Sequence, residues 1–125
     1  MPYKTVCIDF DGTITNYKEF KRKGIFDEVL PGCRGALKRL KDDGWTIIIF
    51  TTRLETYLVR QYLEDNGIPF DYINSNPTNE KLDCHPFKPL ADVYIDDRAI
   101  TFEGYWHDMD ERVKAFKPWY KGAGV

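Results

Sequence analysis

The stretch Val6-Cys7-Ile8-Asp9-Phe10-Asp11-Gly12-Thr13 decides the fold. Its dense apolar residues predict a strand buried on both faces, as in a parallel sheet, and Gly12 marks where the chain leaves it. In open α/β sheets chemistry gathers just beyond the carboxyl ends of the strands, which puts Asp9 and Asp11 at the useful edge. Side chains alternate along a strand, so the two aspartates share a face if the strand continues and diverge if a turn begins. Carboxylates this close repel unless a cation or a proton intervenes.

On either side of this stretch the apolar periodicity alternates between strand and helix. Residues 3–9 form the first strand. Residues 12–31 are a polar, aromatic-studded flap carrying Lys18, Lys21, Arg22 and Lys23. Pro31-Gly32 opens an amphipathic helix with Ala36, Leu37 and Leu40 on one face, and Gly44 ends it. Residues 45–50 are a second apolar strand, closed by Thr51-Thr52-Arg53, and a helix over 55–66 stops at Gly67. A short strand at 70–73 and an Asn- and Pro-rich loop over 74–90 follow. Residues 91–95 read as a buried strand ending in Asp96-Asp97-Arg98, with a short strand near 100–102 and a helix over 108–116 behind it. This alternation predicts a three-layer, Rossmann-like parallel α/β fold with right-handed crossovers.

With 125 residues, 42% hydrophobic and 15% aromatic, the chain reads as a single globular domain over 1–125. A net charge of -2 gives no electrostatic case for a nucleic-acid or membrane surface. No apolar run approaches the ~18 residues of a membrane span. There is no signal-peptide layout, and Cys7, Cys33 and Cys84 show no zinc-type spacing, so reduced thiols in a cytoplasmic protein are expected.

The long strands end in residues that suit one reaction: Asp9 and Asp11, then Thr51, then Asp96 and Asp97. Loops after parallel strands converge, so these residues can meet across the sequence. Four carboxylates and a hydroxyl suit an oxygen-loving octahedral cation such as Mg²⁺. Without His or Cys among them, zinc is not expected.

These motifs, with Lys88 between the second and the last, resemble the four ordered motifs of the haloacid dehalogenase superfamily over residues 6–98. Lys88-Pro89 and the segment ending Ile95-Asp96-Asp97-Arg98 are also similar to small capless members linked to capsular polysaccharide synthesis. The Ile-Asp-Asp-Arg run further resembles the phosphatase domain of phage polynucleotide kinases. The resemblance implies a Mg²⁺-dependent phosphatase on a Rossmann-like fold. Asp9 would be the nucleophile that forms an aspartyl-phosphate. Asp11 would protonate the leaving oxygen and then deprotonate water. Asp9, Asp96 and Asp11 (through its backbone carbonyl) would hold the metal, with Asp97 as a further ligand or an anchor. Thr51 would hydrogen-bond a phosphoryl oxygen, aided by Thr52 and Arg53, and Lys88 would neutralise its charge. Lys81 has the looser spacing of larger members and stays open as an alternative for that lysine. Arg53 and Arg98 each directly follow a motif, and each either touches substrate or forms a surface or structural ion pair.

Several features have plainer readings. Thr51 alone would be a helix N-cap. The basic run at 18–23 reads as a solvated face, His85 as a loop residue without metal, and Tyr105, Trp106 and His107 as packing or tail residues. The connection from Thr13 to Pro31 is too short for a sizeable cap domain. An open site would admit phosphorylated small molecules, saccharides or nucleic-acid ends, unless a second subunit of a homo-oligomer covered it. Two alternatives stand beside phosphatase action: a non-catalytic module binding a phosphorylated ligand or partner, and phosphotransfer to an acceptor other than water. Dehalogenation is disfavoured because dehalogenases of the superfamily usually lack the second aspartate.

Overall fold

The computed structural model describes residues 4–121. Eight elements follow in order: β1 (Thr5–Asp9), α1 (Cys33–Asp42), β2 (Thr46–Phe50), α2 (Thr56–Asp65), β3 (Tyr72–Ile73), α3 (Pro77–Lys81), β4 (Val93–Ile95) and α4 (Met109–Ala115). The strands form one all-parallel sheet in the order β3-β2-β1-β4. This is the expected Rossmann-like α/β arrangement, a parallel sheet flanked by helices.

β-branched Ile47, Ile48 and Ile49 suit a pleated strand covered on both sides, and all three are fully buried. Val6, Ile8, Ile47 and Ile49 pack with Leu37 of α1, with Val59 and Leu63 of α2, and with Phe10 and Ile14 of the loop after β1. Cys7 and Ile48 point to the opposite face by alternation and are just as buried, so the sheet centre is covered on both sides. Gly44 ends α1 with a left-handed φ of 86°. Among the described residues no helix is long and apolar enough to cross a membrane.

Register sets the site. Asp9 pairs with Phe50, and Ile8 pairs with Ile95. The residues just past β2 and β4, Thr51 and Asp96, therefore emerge level with Asp9 on one edge.

Tyr3, placed in the first strand, lies outside the described residues. The structure departs from the expected elements in three places. The loop over 74–90 contains α3, opened by the Asn76 side chain accepting from the Thr78 N–H at 3.0 Å with Pro77 in the first turn. The strand over 91–95 was expected to be buried, yet Val93, Tyr94 and Ile95 are 45%, 46% and 42% exposed. β4 is a sheet edge that pairs only with β1, so an apolar run here does not mean a central strand. No strand forms at 100–102; that segment does not continue the sheet beyond β4.

The flap over 12–31 is held by few backbone contacts. Thr15 bridges both Asp11 and Val29, and Asn16 and Leu30 donate to Glu28 and Ile14 at 2.9 and 2.8 Å. Its basic residues stay in solvent, Lys21 paired with Asp27 and Lys23 with Glu55.

Candidate active site

Just past β1 the chain turns sharply. Thr13, Ile14 and Thr15 all donate backbone N–H groups toward the Phe10 carbonyl, at 3.3, 2.9 and 3.3 Å. Phe10 is completely buried, which anchors the turn in the core. The turn separates Asp9 from Asp11 and gives them different partners.

One carboxylate oxygen from each of Asp9, Asp96 and Asp97 lies within 4.8 Å of the other two. Thr13 Oγ1 stands 3.4 Å from Asp9 Oδ2 and 3.2 Å from Asp97 Oδ1, one hydroxyl proton serving two acids. The Asp96 side chain accepts the Arg98 N–H at 2.7 Å, which fixes the turn after β4. Asp97 Oδ2 is buried, and no N–H or hydroxyl among the described residues reaches it. It points at Gly12, where a Cβ would lie 2.4 Å from that oxygen. Gly12 also has a φ of 85°, so only glycine fits both the backbone and the space.

Burial raises the Asp9 carboxyl to about 8, helped by a proton shared with Asp97 and by the negative charges of Asp96 and Asp97. The buried Cys7 thiol beneath is pushed up to about 11 by burial and by Asp96 and Asp9, so it stays protonated and inert.

The Asp11 carboxylate is not one of the three that converge, and the metal role implied for Asp11 falls to its backbone carbonyl. Both carboxylate oxygens of Asp11 accept from Arg53, Nε at 2.7 Å and Nη2 at 2.9 Å, in a bidentate pair. The Arg53 guanidinium lies 4.6 Å from the centroid of Phe26 and 5.6 Å from that of Phe20, so the flap holds it by cation–π contact.

Thr51 is buried at the end of β2, and its hydroxyl accepts the Arg53 N–H at 3.1 Å. It is not the N-cap of α2; that position belongs to Glu55, which makes no side-chain cap. Asn74, at a left-handed φ of 60°, clamps the Thr51 backbone from both sides. Its Oδ1 accepts the Thr51 N–H at 2.7 Å and its Nδ2 donates to the Thr51 carbonyl at 3.0 Å.

Asp9, Asp11, Tyr17, Thr51, Thr52, Asp96 and Arg98 line a cavity of about 270 Å³. A larger hollow of about 510 Å³, walled by Arg34, Lys38 and the turn at Gly67, holds no acid or nucleophile, and we assign it no chemistry. Lys88 does not line the cavity. Its ammonium lies over the Tyr94 ring, 5.1 Å from the centroid. The loop that carries it is organised by buried Asn79, whose Nδ2 donates to the His85 and Lys88 carbonyls, both at 2.8 Å. Lys81 ends α3 and is exposed.

Four contributions are not foreseen by the motifs: Thr13 between two acids, Tyr17 on the cavity wall, Asn74 behind Thr51, and the pair Trp119-Tyr120. The indole N–H of Trp119 donates to the Gly12 carbonyl at 2.6 Å. Only Thr13 carried a signal, as part of the motif after Asp11.

No protein-family model matches this chain, and no curated protein matches it. A solved structure of a conserved protein from Bacteroides thetaiotaomicron is similar, with a TM-score of 0.63 and 26% identity over 90% of each chain. The likeness supports the Rossmann-like fold.

Proposed function

We propose that this protein is a Mg²⁺-dependent phosphatase of the haloacid dehalogenase type, without a cap domain, that hydrolyses a phosphate monoester through an aspartyl-phosphate. The observation that carries the reading is the convergence of Asp9, Asp96 and Asp97 beside Asp11 and Thr51 at one sheet edge. The residues fit a hard divalent cation: every donor is a carboxylate oxygen, and Asp97 Oδ2 is buried without a donor. Asp9, Asp96 and Asp97 would hold it. Bound Mg²⁺ supplies charge neutralisation between an anionic nucleophile and an anionic phosphoryl group.

The chain's own residues account for the remainder. An Asp9 oxygen attacks phosphorus while the bond to the leaving oxygen breaks in line with it. Asp11 hands a proton to that leaving oxygen, and then takes one from the water that attacks phosphorus and frees Asp9. Arg53 takes one lone pair on each Asp11 oxygen, which leaves a second on each for the proton. The Thr51 hydroxyl, accepting from Arg53, keeps its own proton for a phosphoryl oxygen.

The test is phosphate release from an aryl phosphate by wild type and Asp9→Asn, each with Mg²⁺ and with chelator. Metal-dependent release that vanishes in the variant supports the reading. Full turnover by Asp9→Asn overturns the nucleophile, and tight binding of phosphate analogues without any turnover overturns the enzyme.

A further inference from the structure

Side chains from three distant parts of the chain gather at the mouth of the carboxylate cavity. Tyr17, from the flap, and Arg98, after β4, both line it. Tyr120 packs edge-to-face on Tyr17 with ring centroids 6.1 Å apart, and Arg98 Nη2 donates to its hydroxyl at 3.4 Å. Trp119 stands perpendicular to Tyr120 at 5.6 Å and is tied to the Gly12 carbonyl. The aromatic wall is therefore fastened to the turn that presents Asp9 and Asp11.

The cations nearby are not equivalent. Arg53 is occupied by Asp11, and Lys88 lies over Tyr94 outside the cavity. Arg98 makes one long side-chain hydrogen bond among the described residues, to Tyr120. Most of its five guanidinium donors remain free for an anion in the cavity. Tyr17 lines the same cavity as Asp11 and lies within its electrostatic reach, and Asp11 is the acid that would protonate the leaving oxygen, so a ring in van der Waals contact with Tyr17 would belong to the leaving alcohol.

We propose that Tyr17, Arg98 and Tyr120 form a second recognition element that selects phosphate monoesters whose leaving alcohol carries a flat ring, laid on Tyr17 while Arg98 binds a phosphoryl oxygen. The proposal rests on the phosphatase reading and adds a substrate class to it. Tyr17 supplies the ring face, Tyr120 braces Tyr17 and orients Arg98, and no covalent step is added.

Benzyl phosphate and butyl phosphate test it, because their alcohols are both primary and of similar acidity but only one carries a ring. With Mg²⁺, kcat/KM for the benzyl ester should exceed that for the butyl ester about tenfold, the size of one good aromatic contact. Tyr17→Phe should keep that ratio. Tyr17→Leu, which fills the space without a ring, should bring it to within about twofold of unity. Arg98→Gln should raise KM for both esters alike. Equal turnover of the two esters by wild type, or a preference that survives Tyr17→Leu, overturns the proposal and leaves the phosphatase reading intact. Absence of any Asp9-dependent phosphate release from either ester overturns both.

Discussion

Arg53 grips Asp11 through two parallel hydrogen bonds of 2.7 and 2.9 Å, although 42 residues separate them in the chain. The pair is largely shielded, with side-chain exposures of 10% for Arg53 and 21% for Asp11. Such a fork fixes the carboxylate plane as a single ammonium cannot. Arg53→Lys should keep the fold and lower kcat at least tenfold, because charge is retained and orientation lost. Arg53→Ala should also destabilise, by about 2 kcal/mol, since it leaves a half-buried carboxylate unpaired. Thermal melting beside steady-state kinetics separates the two effects.

Asp9 links stability to pH. Its carboxyl sits at about 8 in the folded protein against an ordinary 3.8, so between these values the native state holds a proton that the unfolded state has released. Stability of the metal-free protein should therefore fall as pH rises from about 4 to 8 and level off above. Asp9→Asn removes that slope. At pH 9 without metal the variant should melt roughly 5 °C above wild type. Added Mg²⁺ should raise the wild-type midpoint and leave the variant nearly unmoved. A metal-free wild type that melts at the same temperature at pH 5 and pH 8.5 would contradict this account.

Gly12 is the one position in the turn where a methyl group has nowhere to go. A Cβ there would sit 2.4 Å from Asp97 Oδ2 and 2.9 Å from a Tyr120 ring carbon. Gly12→Ala combines that clash with an unfavourable φ of 85° and should cost about 2–3 kcal/mol. Mg²⁺ affinity, read by calorimetry, should fall with it because Asp97 is displaced. Gly32, with the same kind of φ but open space around it, should tolerate alanine better.

Asn74 holds the Thr51 backbone by both of its peptide groups, so the hydroxyl's position depends on an amide 23 residues away. Asn74→Gly preserves the left-handed backbone and removes the clamp. It should raise KM for phosphate esters several-fold with a smaller loss in kcat. Asn74→Asp should do worse than glycine, since a carboxylate cannot donate to the Thr51 carbonyl.

The parts of this architecture written in local pattern were readable from the sequence, and those written in distance were not. Ile47, Ile48 and Ile49 announce a buried strand, and Asp9 and Asp96 fall at strand ends because strand ends are where apolar runs stop. The burial of β4 was misjudged because an apolar triplet looks the same at the edge of a sheet as at its centre. Spacing leaves open whether a turn parts Asp11 from Asp9, and it does not reveal that the partner of the Asp11 carboxylate is Arg53. α3 did leave a trace, an Asn-Pro pair of cap and first-turn residues, in a segment otherwise dominated by loop formers. Nothing local in Asn74 or Trp119 indicates which backbone group each will hold.

The bond from Trp119 to Gly12 has a temporal side. It spans 107 residues, so on a ribosome the first turn waits for that much more chain to be made. At typical rates of synthesis that delay is about 5 to 20 s. Throughout it the nascent chain can pair its strands while the carboxylates lie bare of their aromatic wall. The mouth of the cavity takes its shape only after every strand of the sheet behind it has been made.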